Sequence, residues 1–387
     1  MIITFYSNFL NHHQLPLCQE LLRLTNNNFF FVATLPTPDD RLKLGYHDMN
    51  KDYPFVITTY DSQENRNKAF KLSLTSDVVI HGSAPEEYIV ERINQNKLTF
   101  RYLERLGKRS FIHGLSPNFL RLVYLKHIRN KHKELYVLCA SAYTAKDYAL
   151  YGCYRNKCIK WGYFPDVINY DVDDLLKNKD TNLILWVGRL IDWKHPEVAV
   201  KIAVKLVKDG IPFKMRIIGT GNMENELRDL INEHKLASCV ELVGSLSPEE
   251  VRNNMEKASV FLFTSNKQEG WGAVLNEAMN SCCAIVASHI IGSVPYLIIH
   301  NENGLIYHSS KLEELYKNVK YLMERPDERA RLGKAAHRTI SGEWSARIAA
   351  ERLIGLSECI LSGGNFLDLY PTGPCSPAEI IKDDWQN

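Results

Sequence analysis

In the stretch NKQEGWGAVLNEAMNSCC, residues 266–283, Glu269 and Glu277 flank a Gly270-Trp271-Gly272 turn. Upstream, GRLIDWKHPE carries Arg189 and, five residues on, Lys194. Carboxylates accept hydrogen bonds from vicinal hydroxyls, so two glutamates around a flexible turn suit a sugar or a ribose. An arginine that binds bidentately and a lysine acting as a point charge suit a diphosphate. Each pair also has a plainer reading. Arg189 and Lys194 could line a solvated loop and pair with Asp192 or Glu197, and a carboxylate near a helix N-terminus is favoured by the helix dipole alone. Gly219 and Gly221 in IIGTGNMENEL form a Gly-x-Gly turn without the third glycine of a dinucleotide fingerprint, so packing explains them as well as ligand contact does. Gly270 and Gly272 would let backbone approach a ligand, and free N–H groups in the first turn of the next helix would attract an anion.

These residues need elements to hold them, and each group follows a short apolar run. The runs are LILWVGRL (183–190), FKMRIIGTG (213–221), VELVGSL (240–246), VFLFTS (260–265) and AIVASH (284–289), with helical patterns over 196–209, 222–235, 248–257 and from about 272. The N-terminal half repeats the alternation: strands at 1–7, 29–35, 55–60, 77–83, 98–103 and 135–141, with helices at 14–24, 86–96 and 142–150. Continuous apolar runs predict strands covered on both faces, hence parallel sheets with flanking helices. The expected class is α/β, with two doubly wound Rossmann-like domains facing a central cleft and ligands at the carboxyl ends of the strands. The polar stretch NYDVDDLLKNKDTN, 169–182, reads as a linker. That gives an N-terminal domain over 1–168 and a second domain over 183–357. The irregular tail 358–387 would cross back to the first domain.

Composition narrows the class. The chain has 387 residues, 45% hydrophobic and 24% charged, as expected for a soluble globular protein of two domains. No apolar run reaches the ~18 residues of a membrane span, and MIITFYSNFLNHHQ lacks the pattern of a signal peptide. Nine scattered cysteines show no metal-ligand spacing, which predicts reduced thiols in a cytoplasm and no zinc site. Net charge is +2 but uneven: residues 1–170 hold 22 Lys and Arg against 15 Asp and Glu, the remainder 25 against 30. Most of the excess lies in 101–160, and SPNFLRLVYLKHIRNKHK mixes cations with Phe119, Leu120, Leu122, Val123, Leu125 and Ile128. Two readings of the basic segment 101–133 are open: peripheral contact with an anionic membrane surface, or a core-packing helix with a solvated basic face. No nucleic-acid motif accompanies the charge, so a nucleic-acid partner is not expected.

Taken in order, GRLIDWK, GTG and EGWGAVLNEAMNSCCAIVAS followed by GSVPYLI and NGLIY resemble the nucleotide-sugar-binding domain of family 4 glycosyltransferases, over residues 183–325. FYSNFLNHHQLP and WGYFPD are similar to a bacterial surface-polysaccharide subgroup. The resemblance implies a GT-B fold, a retaining mechanism, no metal or other cofactor, and a nucleotide-sugar donor, UDP-linked by preference and GDP-linked as the alternative. The acceptor would be a glycan or a lipid-linked glycan, bound by the N-terminal domain. By position, Arg189 and Lys194 would neutralise the donor diphosphate and Glu269 would contact the transferred sugar. The backbone of Gly270, Trp271, Gly272 and Ala273 would lie near sugar and phosphate. Glu277 would bind the ribose, and Val243 would lie against the base. Gly188, Gly219 and Gly221 fall in donor-binding segments. His81, ending the strand DVVIHGS, matches a place where related enzymes hold a functional histidine, although a lone histidine is also a common structural hydrogen-bonder. His12, His13 and Gln14 replace the usual glycine pair of the first loop, while Tyr102, Glu104 and Arg105 are weaker candidates. Other departures are Tyr296 at an expected acidic position and Cys282, Cys283 and Ala284 in place of Gly and Pro. The two cysteines read as packing residues. Competing functions are a nucleotide-sugar epimerase or hydrolase of the same fold, and a non-catalytic nucleotide-sugar-binding subunit. A dehydrogenase is disfavoured by the incomplete Gly-rich fingerprints.

Overall fold

The structure, a computed structural model, describes residues 1–39, 42, 47–106 and 116–385. It divides into two units, one formed by Met1–Asp166 with Trp344–Asp383, the other by Val167–Glu343 with the last residues of the chain.

The first unit carries a seven-stranded sheet: β1 Ile3–Ser7, β2 Phe29–Ala33, β3 Val56–Thr58, β4 Val78–His81, β5 Thr99–Leu103, β6 Leu135–Cys139 and β7 Cys158–Lys160. The order is β3-β2-β1-β4-β5-β6-β7, and every neighbour is parallel. In the second unit β8 Asp180–Val187, β9 Lys214–Ile218, β10 Val240–Gly244, β11 Ala258–Phe263, β12 Ala284–Ser288 and β13 Leu305–Tyr307 form a parallel sheet ordered β10-β9-β8-β11-β12-β13. Each strand order reverses once, between β1 and β4 and between β8 and β11. This is the doubly wound α/β class predicted from the apolar runs.

Local chemistry explains the elements. β6, β11 and β12 are buried along their whole length, so their continuous apolar sequences have helices to face on both sides. The helix Pro248–Lys257 starts on a capping box, with the Ser247 hydroxyl and the Glu250 carboxylate satisfying each other's backbone N–H. In the second unit, Ile184, Trp186, Ile202, Leu206, Ile217, Val260 and Val286 pack into one core that spans the sheet and its helices. The three-residue strands β7 and β13 are absent from the sequence reading because so short a run shows no periodicity.

Two boundaries differ from expectation. The stretch 169–182 is not a linker: it holds the helix Val172–Lys177 and the start of β8, and the crossing between units falls at Asp166 and Val167. Its polar residues have structural tasks. Asp171 caps the helix, Tyr170 donates to Glu256 (2.6 Å), and the buried Lys179 ammonium donates to the carbonyls of Met255, Glu256 and Ala258 at 2.7–3.2 Å. The second domain does not run to 357. Trp344–Asp383 belong to the first unit, where the helix Ala346–Leu361 packs on the helix Leu15–Leu24 and the Trp344 ring stacks over Phe164. The tail then lies along β7, exchanging backbone hydrogen bonds with Cys158 and Lys160 and covering that sheet edge.

Candidate functional site

The switch point of the second sheet lies between β8 and β11, and the loops after these two strands carry most of the predicted residues. β8 leads through Gly188 and Arg189 into the short 3₁₀ turn Asp192–Lys194. His195 follows in the left-handed region (φ 53°) and starts the helix Pro196–Lys208. That reversal aims Lys194 at the β11 side, where its Nζ lies 2.5 Å from Glu269 Oε2. Ser265 Oγ donates to the same oxygen at 3.0 Å, and Glu269 is 8% exposed. The two loops are tied together elsewhere. Thr264 Oγ1 donates toward the carbonyls of Lys194 and His195 (2.8 and 3.0 Å) and accepts from Trp186 Nε1 at 2.8 Å, while Asn266 N–H donates to the Trp193 carbonyl.

Arg189 is exposed. Its guanidinium lies 5.8 Å from the Trp193 ring centroid, and it makes no ion pair among the described residues. The solvated-loop reading, with Arg189 and Lys194 paired to Asp192 or Glu197, is therefore not what forms: Lys194 pairs with Glu269, and Glu197 with His195 (3.0 Å).

The glycines of the rim meet real steric demands. A Cβ on Gly219 (φ +137°) would sit 1.9 Å from the Gly188 carbonyl oxygen, and one on Gly221 would sit 2.2 Å from that of Leu190. The loops after β8 and β9 press backbone to backbone there, through Leu190 N–H to Thr220 O and Met223 N–H to Leu190 O. Gly272 (φ +81°) is equally constrained, since a Cβ would lie 2.3 Å from the Phe263 ring. Val243 sits near the end of β10 beside Gly244, whose carbonyl accepts from Gly219 N–H.

Trp271 is fully buried, its indole N–H donating to Asn276 and its carbonyl accepting from Ser293. The following helix, Val274–Asn280, has seven residues, with Ala273 at its N-cap. Glu277 is half-buried in that helix, and its carboxylate makes no hydrogen bond or ion pair among the described residues of this unit. Burial raises its pKa above the usual carboxylate value, with the Arg252 charge pulling the other way. Cys282 and Cys283 are buried and pack behind this helix, as the sequence suggests. Tyr296, at the expected acidic position, lies with its ring 6.3 Å from Trp271.

The remaining candidates lie in the first unit. His81 ends β4, at the switch point of that sheet, and is 2% exposed. Its Nε2 lies 3.3 Å from the Pro85 carbonyl, which can only accept, so Nε2 carries the proton and the buried Nδ1 is an acceptor without a partner among the described residues. Burial, and then the Arg101 charge, depress its pKa to about 4 and keep the ring neutral. Tyr102 donates to the Gly162 carbonyl, and Glu104 accepts from Tyr163. Arg105 pairs with Asp147 and with Asp383 of the tail, so these three hold structure. His12 and His13 have their rings 3.6 Å apart in the loop after β1, just before the helix Leu15–Leu24. Residues 107–115 of the basic segment lie outside the described residues.

Sequence reasoning missed three residues of the rim: His195, Ser265 and Thr264. Only the position of His195 between Lys194 and Pro196 hints at its role. The contacts of Ser265 and Thr264 depend on pairing between β8 and β11.

With this geometry in place, the comparisons decide the family. Residues 168–339 match the family described as glycosyl transferases group 1. The second unit is a group 1 glycosyltransferase domain. That domain contains Arg189, Lys194, Glu269 and Glu277 in one matched segment. The chain is similar to the amylovoran biosynthesis glycosyltransferase AmsK of Erwinia amylovora, at 28% identity over 249 residues and 60% of each chain. It is also similar to a GDP-mannose-dependent phosphatidylinositol monomannoside mannosyltransferase of Corynebacterium glutamicum, at 25% identity over 182 residues, covering 46% of this chain and 47% of that one. The chain thus spans about half to three-fifths of the length of these relatives. Among solved structures, HepE of Anabaena in complex with UDP has a TM-score of 0.67 at 16% identity, covering 94% of this chain and 100% of that one. That likeness extends the GT-B fold to both units around the group 1 domain.

Proposed function

We propose that the protein is a retaining, metal-independent glycosyltransferase. It would move a sugar from a nucleotide-diphosphate sugar to a glycan or lipid-linked acceptor in surface polysaccharide synthesis. The observation that carries this reading is the exposed Arg189, without an ion pair among the described residues, beside the nearly buried Lys194–Glu269 pair at the switch point of a group 1 domain. Glu269, held in place by Lys194 and Ser265, accepts hydrogen bonds from hydroxyls of the transferred sugar. Arg189 and Lys194 bind the diphosphate and offset the charge that builds on it as the glycosidic bond breaks. That is the stabilisation a divalent cation supplies elsewhere. Glu277 holds the ribose, and Val243 with the Gly219 backbone lies against the base. The names of the relatives divide on the nucleotide: HepE was solved with UDP, and the mannosyltransferase is GDP-mannose-dependent. We favour UDP, with GDP as the alternative.

The first unit takes the acceptor in this reading, with His81 at its own switch point as the candidate residue there. A lipid-linked acceptor would be met at the cytoplasmic face of a membrane, through the basic segment 101–133. The test is product analysis with labelled UDP- and GDP-sugars. Glu269→Ala and Arg189→Ala should abolish transfer while the fold persists, and the wild type should release free sugar only slowly without acceptor. Unchanged turnover in both variants would sink the site assignment. Rapid acceptor-free release would favour a hydrolase.

A further inference from the structure

Between Glu104 and Glu134 the sequence contains no acidic residue, and it carries Arg121, Lys126, Arg129, Lys131 and Lys133 in its C-terminal half. A core-packing helix with a basic outer face would bury the apolar residues of this stretch. The structure does otherwise. Helix Pro117–Val123 runs into a π-turn, Tyr124–Ile128, closed by Arg129 N–H donating to the Tyr124 carbonyl at 2.9 Å. Val123 and His127, four residues apart, are buried and fasten the segment. His127 Nδ1 lies 2.7 Å from the Tyr154 hydroxyl, and its ring packs edge-on to Tyr148. Leu120, Leu122, Tyr124 and Leu125 are 40%, 43%, 53% and 44% exposed. Leu150, 69% exposed, adjoins Tyr151, whose ring lies 6.3 Å from Phe119. Arg121, Arg129 and Lys131 are exposed and form no ion pair among the described residues, whereas Lys126 is held by Glu86 at 3.4 Å.

Four large apolar side chains exposed on fewer than three turns, interleaved with unpaired cations, form a surface that water does not favour. It matches a boundary where hydrocarbon lies beneath anionic headgroups. We propose that residues 120–131 dock the protein on an anionic bilayer, with Leu120, Leu122, Tyr124 and Leu125 entering the interface and Arg121, Arg129 and Lys131 meeting the headgroups. The inference deepens the lipid-linked-acceptor reading and rests on it only for its biological purpose, since the surface chemistry stands without it. A protein partner would not require the cations to be free of carboxylates over so long a stretch, and a nucleic acid would not require the leucines.

The experiment is co-sedimentation of the full chain with vesicles of phosphatidylcholine alone and of equal parts phosphatidylglycerol and phosphatidylcholine. Wild type should partition onto the anionic vesicles at least ~tenfold more strongly than onto neutral ones. The variant Leu122→Gln/Leu125→Gln should lower that partitioning by roughly tenfold, and so should Arg121→Gln/Arg129→Gln/Lys131→Gln. Both variants alter exposed residues, so their unfolding temperatures and their binding of UDP or GDP should match wild type. Equal binding to both vesicle types would overturn the proposal. A loss confined to the charge variant would overturn apolar insertion, and binding to duplex DNA without vesicle binding would replace the bilayer with a nucleic acid. Nucleotide binding is read separately, so a failure of the transferase reading shows there and not in the vesicle assay.

Discussion

Arg189 and Lys194 are five residues apart and carry the same charge, yet their surroundings give them different weights in stability. Lys194 and Glu269 are both nearly buried, so Lys194→Ala leaves a carboxylate without its counter-charge. We expect a loss of about 2 kcal/mol or more. Arg189 is exposed and unpaired among the described residues, so Arg189→Ala should change stability by less than about 0.5 kcal/mol. Thermal unfolding of the two variants checks this contrast, and both should lose nucleotide binding. His195 adds a second test at this scale. Its left-handed backbone suits glycine, and its ring bridges Glu197 and Asn266. His195→Gly should keep the fold, remove the bridge, and raise the donor KM several-fold with less effect on kcat. His195→Ala, which keeps the Cβ that this backbone penalises, should be about 1 kcal/mol less stable than His195→Gly. Residue types announced Arg189, Lys194, Glu269 and Glu277, because their chemistry is explicit in the side chain. They did not announce that Lys194 and Glu269 pair, since that contact exists only once β8 and β11 lie side by side. Nor did the histidine at 195 show its left-handed backbone, because nothing in its side chain requires one.

At the scale of elements, the rim depends on two backbone segments meeting with no room between them. Gly219→Ala and Gly221→Ala would each drive a Cβ into a carbonyl oxygen of the β8 loop. Each should cost more than about 2 kcal/mol and displace Arg189 and Lys194 together. Urea unfolding, with nucleotide binding measured on the folded fraction, reads both effects. A loss of binding with unchanged stability would contradict this account. The strands and helices of the second unit were legible because their apolar runs are long and their caps, such as Ser247 with Glu250, are written in sequence. The helix Val172–Lys177 was not, because its Asp-rich and Asn-rich surroundings look like solvent-exposed chain. Only the tertiary structure shows Lys179 and Tyr170 bonded to the helix Pro248–Lys257 and the residue that follows it. The return of the helix Ala346–Leu361 to the first unit was hidden for a similar reason: its apolar face fits either sheet, and its contact with the helix Leu15–Leu24 decides.

At the scale of the molecule, the first unit should lose more stability in acid than the second. In the first, burial and then Arg101 depress His81 to about 4 and His127 to about 3. Burial alone would raise Glu86, but the hydrogen bonds and charge of Arg101 outweigh it and bring Glu86 to about 2. All three folded values lie below the unfolded ones, so the unfolded state binds more protons as pH falls. Stability is complete above about pH 6.5 and declines below it, by an amount on the order of a few kcal/mol near pH 4. Glu277, raised by burial, acts the other way on the second unit, where acid relieves a buried charge. Urea unfolding near pH 7 and near pH 4.5, followed by probes in each unit, should show the first unit losing more. Uniform loss would contradict the assignment of the buried histidines. The central claim is that the rim of the group 1 domain grips a nucleotide diphosphate through Arg189. The most direct measurement is calorimetric titration of UDP, and separately GDP, into wild type and Arg189→Ala. The account predicts that wild type binds at least one of the two nucleotides and that the variant binds it ~tenfold or more weakly. No binding of either nucleotide to wild type, or equal affinity in the variant, would contradict it.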